Sequence, residues 1–178
     1  VLCGCGGGET GNAVQEQYRT LETARLEAEV TSHTSTDSRT FTLLCSYDAD
    51  GDSVTTVTAP SELAGLTAVV SGADMTLSSE GLQLPAGASL DICPANCLPY
   101  LLRALADGYV LEQSSEALDD TPCLRLALDT TAPGGGKVLC AVWLDAEGLF
   151  PRYAEFSRNE QVVLTVKLLA FTCTTSEG

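Results

Sequence analysis

Apolar and polar side chains alternate along much of this chain, with the period of two that is typical of half-buried β-strands. In residues 39–47 the intervening positions are mostly threonine and serine, and the apolar ones are Phe41, Leu43, Cys45 and Tyr47. One face of this strand is therefore expected to face water. Similar patterns predict short strands at 26–30, 53–58, 66–70, 74–78, 82–84, 109–116 and 123–129.

Residues 137–173 predict three consecutive antiparallel strands. The first, residues 137–144, carries apolar side chains at even and odd positions, so both of its faces are expected to be covered. Residues 152–157 return with mixed polarity after Pro151. Residues 162–171 are the longest apolar run of the chain and are rich in β-branched side chains. Such a meander requires another layer packed on it.

Two segments have the 3.6-residue period of a helix instead. Asn12 is a suitable cap for the first, with Gln15 following at the spacing of a capping box, and the period changes to two near Leu26. The second helix is expected between Asn96 and Gly108. Its apolar stripe has members at i, i+3, i+4 and i+7, which are Leu98, Leu101, Leu102 and Leu105.

The order of these elements predicts an α+β, mainly β fold: a helix, about six strands, a second helix and about five more strands. One-sided alternation in the first half favours a strongly curved antiparallel sheet, with the two amphipathic helices covering its concave face. Its interior is then either a cavity lined by aliphatic side chains or a filled core, because protein interiors are normally close-packed. The pattern leaves both alternatives open.

The composition fits one domain. The chain has 178 residues with no break in composition, so residues 12–178 are expected to fold as a unit. Lys and Arg number 9 against 24 Asp and Glu, a net charge of −15. This charge argues against nucleic acid or an anionic membrane surface as the binding partner.

Residues suited to catalysis or metal binding are sparse. His33 is the only histidine and lies at a predicted strand end, so no catalytic residue and no cofactor is assigned. Cys93 and Cys97 have a spacing that zinc ligands use, but no second pair completes four ligands and no metal site is predicted. A disulfide between these two cysteines, or two free thiols, is the interpretation that remains.

The first residues resemble a bacterial lipobox. Leu2, Gly4 and Cys5 stand where that motif has a leucine, a small residue and the cysteine that receives lipid. Residues 1–11 are accordingly interpreted as a lipobox followed by a flexible Gly-rich tether, with Cys5 as the lipid attachment site. The alternative is an arbitrary boundary that happens to contain two cysteines and a glycine run. Lipidation at Cys5 implies an extracytoplasmic protein anchored to a bacterial membrane.

Two further segments, together with the lipobox and the first helix leading into a strand, resemble the lipoprotein carrier superfamily. This superfamily has LolA-like and LolB-like members and includes the germination lipoprotein GerS. The two segments are residues 60–66 and the stretch with Val142, Trp143, Leu144 and Asp145 followed by Gly148, Pro151, Arg152 and Glu155. The similarity extends over nearly the whole chain as a pattern, and its motifs are short.

This resemblance implies an unclosed β-barrel whose helices form a lid over a hydrophobic cavity. The function it implies is that of a non-enzymatic protein that binds lipid, lipoprotein acyl chains or another hydrophobic ligand. The candidate residues for the cavity or lid are Leu98, Leu101, Leu102, Leu105 and Trp143. A second hypothesis is a GerS-like scaffold that binds a partner protein of the cell envelope.

Overall fold

The predicted strands form, and they join a single antiparallel sheet. The computed structural model describes residues 7–88 and 91–176. Within these residues the chain forms helices α1 (Gly7–Arg19) and α2 (Cys97–Asp107) and an 11-stranded sheet. The strands are β1 (Leu21–His33), β2 (Ser38–Asp48), β3 (Ser53–Ala59), β4 (Thr67–Ser71), β5 (Asp74–Ser79), β6 (Leu82–Ala88), β7 (Tyr109–Leu118), β8 (Thr121–Thr131), β9 (Lys137–Asp145), β10 (Pro151–Arg158) and β11 (Gln161–Thr175).

The strand order shows that the sheet is an unclosed barrel. It runs β6-β5-β4-β3-β2-β1-β11-β10-β9-β8-β7, so the first strand pairs with the last and β6 and β7 are the two edges. The meander β9–β11 lies inside this order, between β1 and β8. The mainly β fold class with an unclosed sheet, expected from the sequence, is therefore confirmed.

Contacts of α2 show how strongly the sheet curves. The helix touches both β2 and β8, which are separated in the sheet by β1, β11, β10 and β9. In a flat sheet these two strands would be roughly 24 Å apart at the usual spacing of about 4.8 Å. A helix is only about 10 Å across with its side chains. The sheet must therefore curl around the helix, which lies on the concave face as predicted.

One hydrophobic core joins the helices to both halves of the sheet. Val14 of α1, Leu26 of β1, Leu102 of α2 and Phe156 of β10 are all at most 1% exposed and belong to it. The ring of Tyr100 on α2 meets that of Phe156 edge to face, with centroids 5.8 Å apart. Burial of this apolar surface, rather than helix propensity, holds the helices on the sheet.

Helix α1 begins earlier than the capping pattern predicted. Its first residue is Gly7, so Asn12 lies inside the helix, and the segment interpreted as a tether is helical from Gly7 onward. Part of the added segment packs near β7, where a Cβ atom at Gly11 would lie 3.1 Å from Oε1 of Gln113. Glycine lets the helix backbone approach the sheet closely at this point. Residues 1–6 lie outside the described residues.

Only one face of β9 is fully covered, which corrects the prediction for residues 137–144. Val138, Cys140, Val142 and Leu144 face the core and are fully buried. On the opposite face Ala141 is buried, Trp143 is half-buried and Leu139 is 39% exposed. The reason is that both helices pack on the same side of the sheet, so the outer face has only neighbouring side chains to cover it.

Candidate functional site

An apolar pocket opens on the concave side of the first half of the sheet. Its volume is about 190 Å³, and no charged side chain is found among the described residues that line it. The floor comes from β2 to β5, one side from the segment after β3, and the roof from the loop before α2. The lining residues are Phe41, Leu43, Thr55, Val57, Leu63, Leu66, Ala68, Leu77, Cys93, Pro94 and Ala95.

Small side chains in the floor explain why the pocket is not filled. Thr55 of β3 pairs with Ala68 of β4, which in turn pairs with Leu77 of β5. Directly paired residues of antiparallel strands point to the same face, so these three form a row across the floor. The methyl group of Ala68 occupies the centre of the row and leaves the space above it open.

The roof is a compact turn held by one buried asparagine. The side chain of Asn96 is 3% exposed; its Oδ1 accepts the backbone N–H of Cys93 at 2.9 Å, and its Nδ2 donates to the carbonyl oxygen of Asp91 at 2.8 Å. The Asp91 carboxylate also forms an ion pair with Arg158 at the end of β10. The sequence pattern identified Asn96 as a helix cap. Its side chain instead fixes the loop over the pocket.

Two hydroxyl groups are buried near the pocket without an oxygen or nitrogen hydrogen-bond partner in the described part of the chain. Thr55 lines the pocket and is 3% exposed, and Ser53 on the same face of β3 is fully buried. The Thr55 hydroxyl lies within hydrogen-bonding reach of the Cys45 thiol, whose sulfur is a weak acceptor. A buried hydroxyl without a good partner costs free energy, and such groups in native structures often meet a ligand or a water molecule.

The buried Cys97 thiol at the start of α2 has the thiols of Cys93, Cys45 and Cys140 in its electrostatic surroundings, and the pKa of each of the four is raised. Burial raises the pKa of the Cys45 thiol to about 11 and that of Cys140 to about 12. Burial likewise raises the pKa of Cys93, and that of Cys97 well above its ordinary value. Because the thiolate is the reactive form, these cysteines are poor nucleophiles at neutral pH.

Cys93 and Cys97 are free thiols in the structure, which is the second of the two alternatives that the sequence left open. The backbone N–H of Cys97 donates to the carbonyl oxygen of Cys93 at 3.0 Å, so the two residues are one helical turn apart. That spacing puts Cβ atoms about 5–6 Å apart. A disulfide needs about 3.5–4.5 Å between them. The local helical turn therefore disfavours the bridge.

The α2 leucines are core residues and not pocket residues. Leu98, Leu101, Leu102 and Leu105 are each at most 1% exposed and pack in the core beneath the helix. None of them lines the apolar pocket. The interior is thus divided: it is filled beneath α2 and partly open beneath the loop that precedes α2.

Trp143 lies on the outer face of the sheet, so its assignment to the cavity is wrong. Its indole Nε1 donates to Oε2 of Glu116 at 3.0 Å, its ring packs on Tyr153 with centroids 5.4 Å apart, and the guanidinium of Arg125 lies 5.2 Å from its ring centroid. Alternation along β9 gives the reason, because the neighbouring Val142 and Leu144 take the core-facing positions. The hydrogen bond from Trp143 lowers the pKa of the Glu116 carboxyl.

The remaining candidate residues add no reactive cluster. His33 ends β1, and its ring nitrogens lie 3.1 Å from the hydroxyl oxygens of Ser38 and Thr165. In the part of the chain that the structure describes, no three His, Cys, Asp or Glu side chains are grouped to hold a metal ion. Cys5, the predicted lipid attachment site, lies outside this part.

The pocket residues were not identified from the sequence. Phe41 and Leu43 were recognised as core-facing positions of a strand, but the pocket depends on Thr55, Ala68 and the roof loop. A signal was available: the inward positions of β3 and β4 are unusually small or polar, which predicts an incompletely filled interior. None of the helices in the described ranges is both long and apolar enough to cross a membrane.

Comparisons with known proteins identify the fold. Neither the family models nor the curated proteins include a match to this sequence. Among solved structures, a LolA superfamily protein from Nitrosomonas europaea shares 13% identity and a TM-score of 0.52, over 96% of this chain and 95% of that chain. LprF from Mycobacterium bovis shares 11% identity and a TM-score of 0.50, over 95% of each.

A Vibrio parahaemolyticus domain that carries the name of an outer membrane lipoprotein-sorting protein shares 11% identity and a TM-score of 0.55, over 96% of this chain and 94% of that one. Identities this low establish the fold and not the activity. The unclosed 11-stranded sheet, the two helices on its concave face and these matches over nearly the full length together show that this chain has the LolA/LolB-like fold.

Proposed function

We propose that this protein is a non-enzymatic lipid-binding protein of the bacterial cell envelope, which holds an acyl chain or a similar hydrophobic ligand in the apolar pocket. The pocket between the β2–β5 floor and the loop before α2 is the observation that carries the proposal. Its walls are almost entirely apolar, which suits a hydrocarbon chain and disfavours a charged metabolite.

The size of the pocket limits what it holds in this conformation. Its volume of about 190 Å³ is smaller than the roughly 300–1,000 Å³ of typical small-molecule sites. It therefore accepts a short hydrocarbon segment while the roof is closed. A longer chain requires the loop of Cys93, Pro94 and Ala95 to move outward, since the β-ladders fix the floor.

The Thr55 hydroxyl is the polar contact that the pocket offers a ligand. An ester or carboxyl oxygen placed there would give this hydroxyl a stronger acceptor than the neighbouring Cys45 sulfur. With this one polar group against apolar walls, the site selects for chain length and shape more than for a headgroup. Thr55→Val keeps the shape of the side chain, and we expect it to weaken binding of a fatty acid without lowering protein stability.

Binding is tested with a fluorescent long-chain fatty acid and with native mass spectrometry of the protein purified from a bacterial host. Ala68→Phe fills the centre of the floor and is expected to weaken saturable binding by at least about tenfold. Val69→Phe is the matched control, because Val69 neighbours Ala68 on β4 but points to the outer face. Equal affinity of the two variants, or no saturable binding by the unmodified protein, contradicts the proposal.

The envelope location rests on a separate proposal, lipid attachment at Cys5. The name of the Vibrio domain, a lipoprotein-sorting protein, supports this setting by analogy of fold. Expressed with a bacterial signal peptide, the protein should partition into detergent, and Cys5→Ser should move it to the aqueous phase. Aqueous partitioning of the unmodified protein would exclude the anchor and leave the pocket proposal untouched.

The filled interior beneath α2 favours a second candidate function. The leucine stripe of α2 is buried in the hydrophobic core, and such interiors are close-packed. A scaffold that binds a partner protein of the envelope fits this half of the structure. Absence of bound lipid, together with a stable complex with such a partner, is the result that distinguishes it.

A further inference from the structure

The unclosed sheet ends in two free strand edges, and only one of them contains a proline. Strands β6 and β7 each have a neighbouring strand on one side only. Pro85 lies in β6, and prolines on edge strands take positions at which a backbone N–H would face solvent. The β6 edge therefore lacks a hydrogen-bond donor. No residue of β7 is a proline, so its edge keeps the full set of backbone donors and acceptors.

The free edge of β7 is regular over most of its length. One bulge leaves Leu111 as an extra residue, and from Glu112 to Leu118 the strand then pairs with β8 without a further shift. Among the described residues, no backbone hydrogen bond joins β7 to a segment other than β8. Gly11 of α1 faces the side chains of Val110 and Gln113, which lie on the concave face of the strand. An edge of this kind is where an extended peptide adds to a sheet.

Acidic side chains accompany this edge on the outer face of the sheet. Glu112 and Glu116 are exposed, and both are ion-paired with Arg125 of β8, at 3.5 and 3.9 Å from its guanidinium nitrogens. One cation thus serves two carboxylates. Both glutamates are drawn over β8 toward Arg125, so their charges flank the backbone edge and leave its hydrogen-bonding groups uncovered.

The wider surroundings of the edge have the same sign of charge. Near the end of β7, the β7–β8 and β9–β10 turns hold four more carboxylates around one further cation, Arg152. These carboxylates are Asp119, Asp120, Asp145 and Glu147. At the start of the strand, Asp129 of β8 is ion-paired with Lys137, and the two charges cancel. The surface along β7 therefore carries a clear negative excess.

We propose that the β7 edge is a docking site for an extended basic segment of a partner protein, which pairs with Glu112–Leu118 as an added strand. Backbone hydrogen bonds supply the affinity, and Lys or Arg at alternate positions of the segment faces Glu112 and Glu116 on the outer side. Beyond the bulge, Tyr109 and Leu111 offer exposed apolar surface to one end of the segment. The apolar pocket is built from β2 to β5, so this proposal does not depend on lipid binding.

A second copy of this chain is a poor occupant of the same edge. Two-fold pairing of β7 centred on Ser114 would place Glu112 of each copy directly opposite Glu116 of the other, and like charges in cross-strand pairs are destabilising. Two chains of net charge −15 also repel each other. Pairing of β7 with β6 of another copy would meet Pro85, which lacks a donor. A basic segment has none of these penalties.

The test selects linear peptides from a random phage-displayed library against the full chain, and measures their affinity by fluorescence polarisation. We expect the selected peptides to carry Lys or Arg at alternate positions. The double variant Glu112→Gln/Glu116→Gln should weaken their binding by at least about tenfold. The matched control, Glu27→Gln/Glu29→Gln, removes two exposed carboxylates from β1, which has a ladder partner on both sides, and it should bind as the unmodified protein does.

The backbone pairing is tested separately on a selected peptide. In an added strand, alternate amides point toward β7 and the others toward solvent. N-methylation of one alternating set should therefore abolish binding, and N-methylation of the other set should preserve it. In the protein, alternate amides of residues 112–118 should gain protection from hydrogen exchange when the peptide is bound.

The proposal is overturned by any of four results. The selected peptides have no excess of basic residues, the two double variants bind them equally well, the two N-methylated sets behave alike, or the chain itself dimerises through β7 and excludes the peptide.

Discussion

Replacing Leu102 by alanine tests whether the filled half of the interior is the structural core. The side chain is 1% exposed and packs beneath α2, among residues from both halves of the sheet. Alanine is the best helix former, so the substitution has no cost in helix propensity and its effect reports packing. Buried Leu→Ala changes cost about 2–5 kcal/mol, depending on how far the surroundings collapse into the cavity.

Little collapse is expected at this site, because hydrogen-bonded ladders hold the strands around the helix. We therefore expect a loss of about 3–4 kcal/mol, in the upper part of that range. For a chain of this length, each kcal/mol lowers Tm by about 2–4 °C, so the expected decrease is about 6–16 °C. Calorimetry or thermal circular dichroism measures it.

Leu111→Ala on edge strand β7 is the matched control, because Leu111 is 55% exposed and the same atoms are removed at the surface. We expect it to change Tm by no more than about 2 °C. Equal Tm shifts for Leu102→Ala and Leu111→Ala would refute the assignment of α2 to the core. They would also remove the reason for locating the ligand beneath the loop rather than beneath the helix.

Three further predictions follow from individual contacts. Asn96→Ala should lower the free energy of unfolding in urea by about 1–3 kcal/mol, because it leaves the Cys93 N–H and the Asp91 carbonyl oxygen without this partner; an unchanged value would contradict its role in the roof. Burial raises the pKa of Cys45 to about 11 and that of Cys140 to about 12. The stability that these two thiols contribute is therefore complete below the unfolded thiol pKa of about 8.5, and it is lost as the pH rises through their pKa values in the folded protein. The double variant Cys45→Ala/Cys140→Ala should therefore lose less stability than the unmodified protein between neutral and alkaline pH. An identical dependence of the free energy of unfolding on pH in the two proteins would contradict this prediction. NMR titration should place the pKa of Glu116 below its ordinary value, and Trp143→Phe should raise it again. Since the folded pKa is lowered, this contact stabilises the protein above the unfolded pKa and is lost as pH falls through the folded value; an unshifted Glu116 in the unmodified protein would show that the hydrogen bond does not form in solution.

The sequence by itself determined the elements and the fold class. Alternation over 39–47 and the apolar run at 162–171 specify strands, and the leucine stripe of α2 specifies a helix with one buried face. These patterns are local, because the period of side chains along a strand or a helix is set by backbone geometry. Their order along the chain was sufficient to predict a curved antiparallel sheet with helices on one side.

Only the tertiary structure decided which side chains meet. Trp143 was expected inside and lies outside, because the direction of a residue on β9 depends on which face the helices cover. The space above Ala68 depends on Thr55 and Leu77 of neighbouring strands, and the roof loop is joined to β10 by the ion pair between Asp91 and Arg158. Each of these features is a contact between residues distant in the chain, and a pattern within one segment carries no information about the partner that completes it.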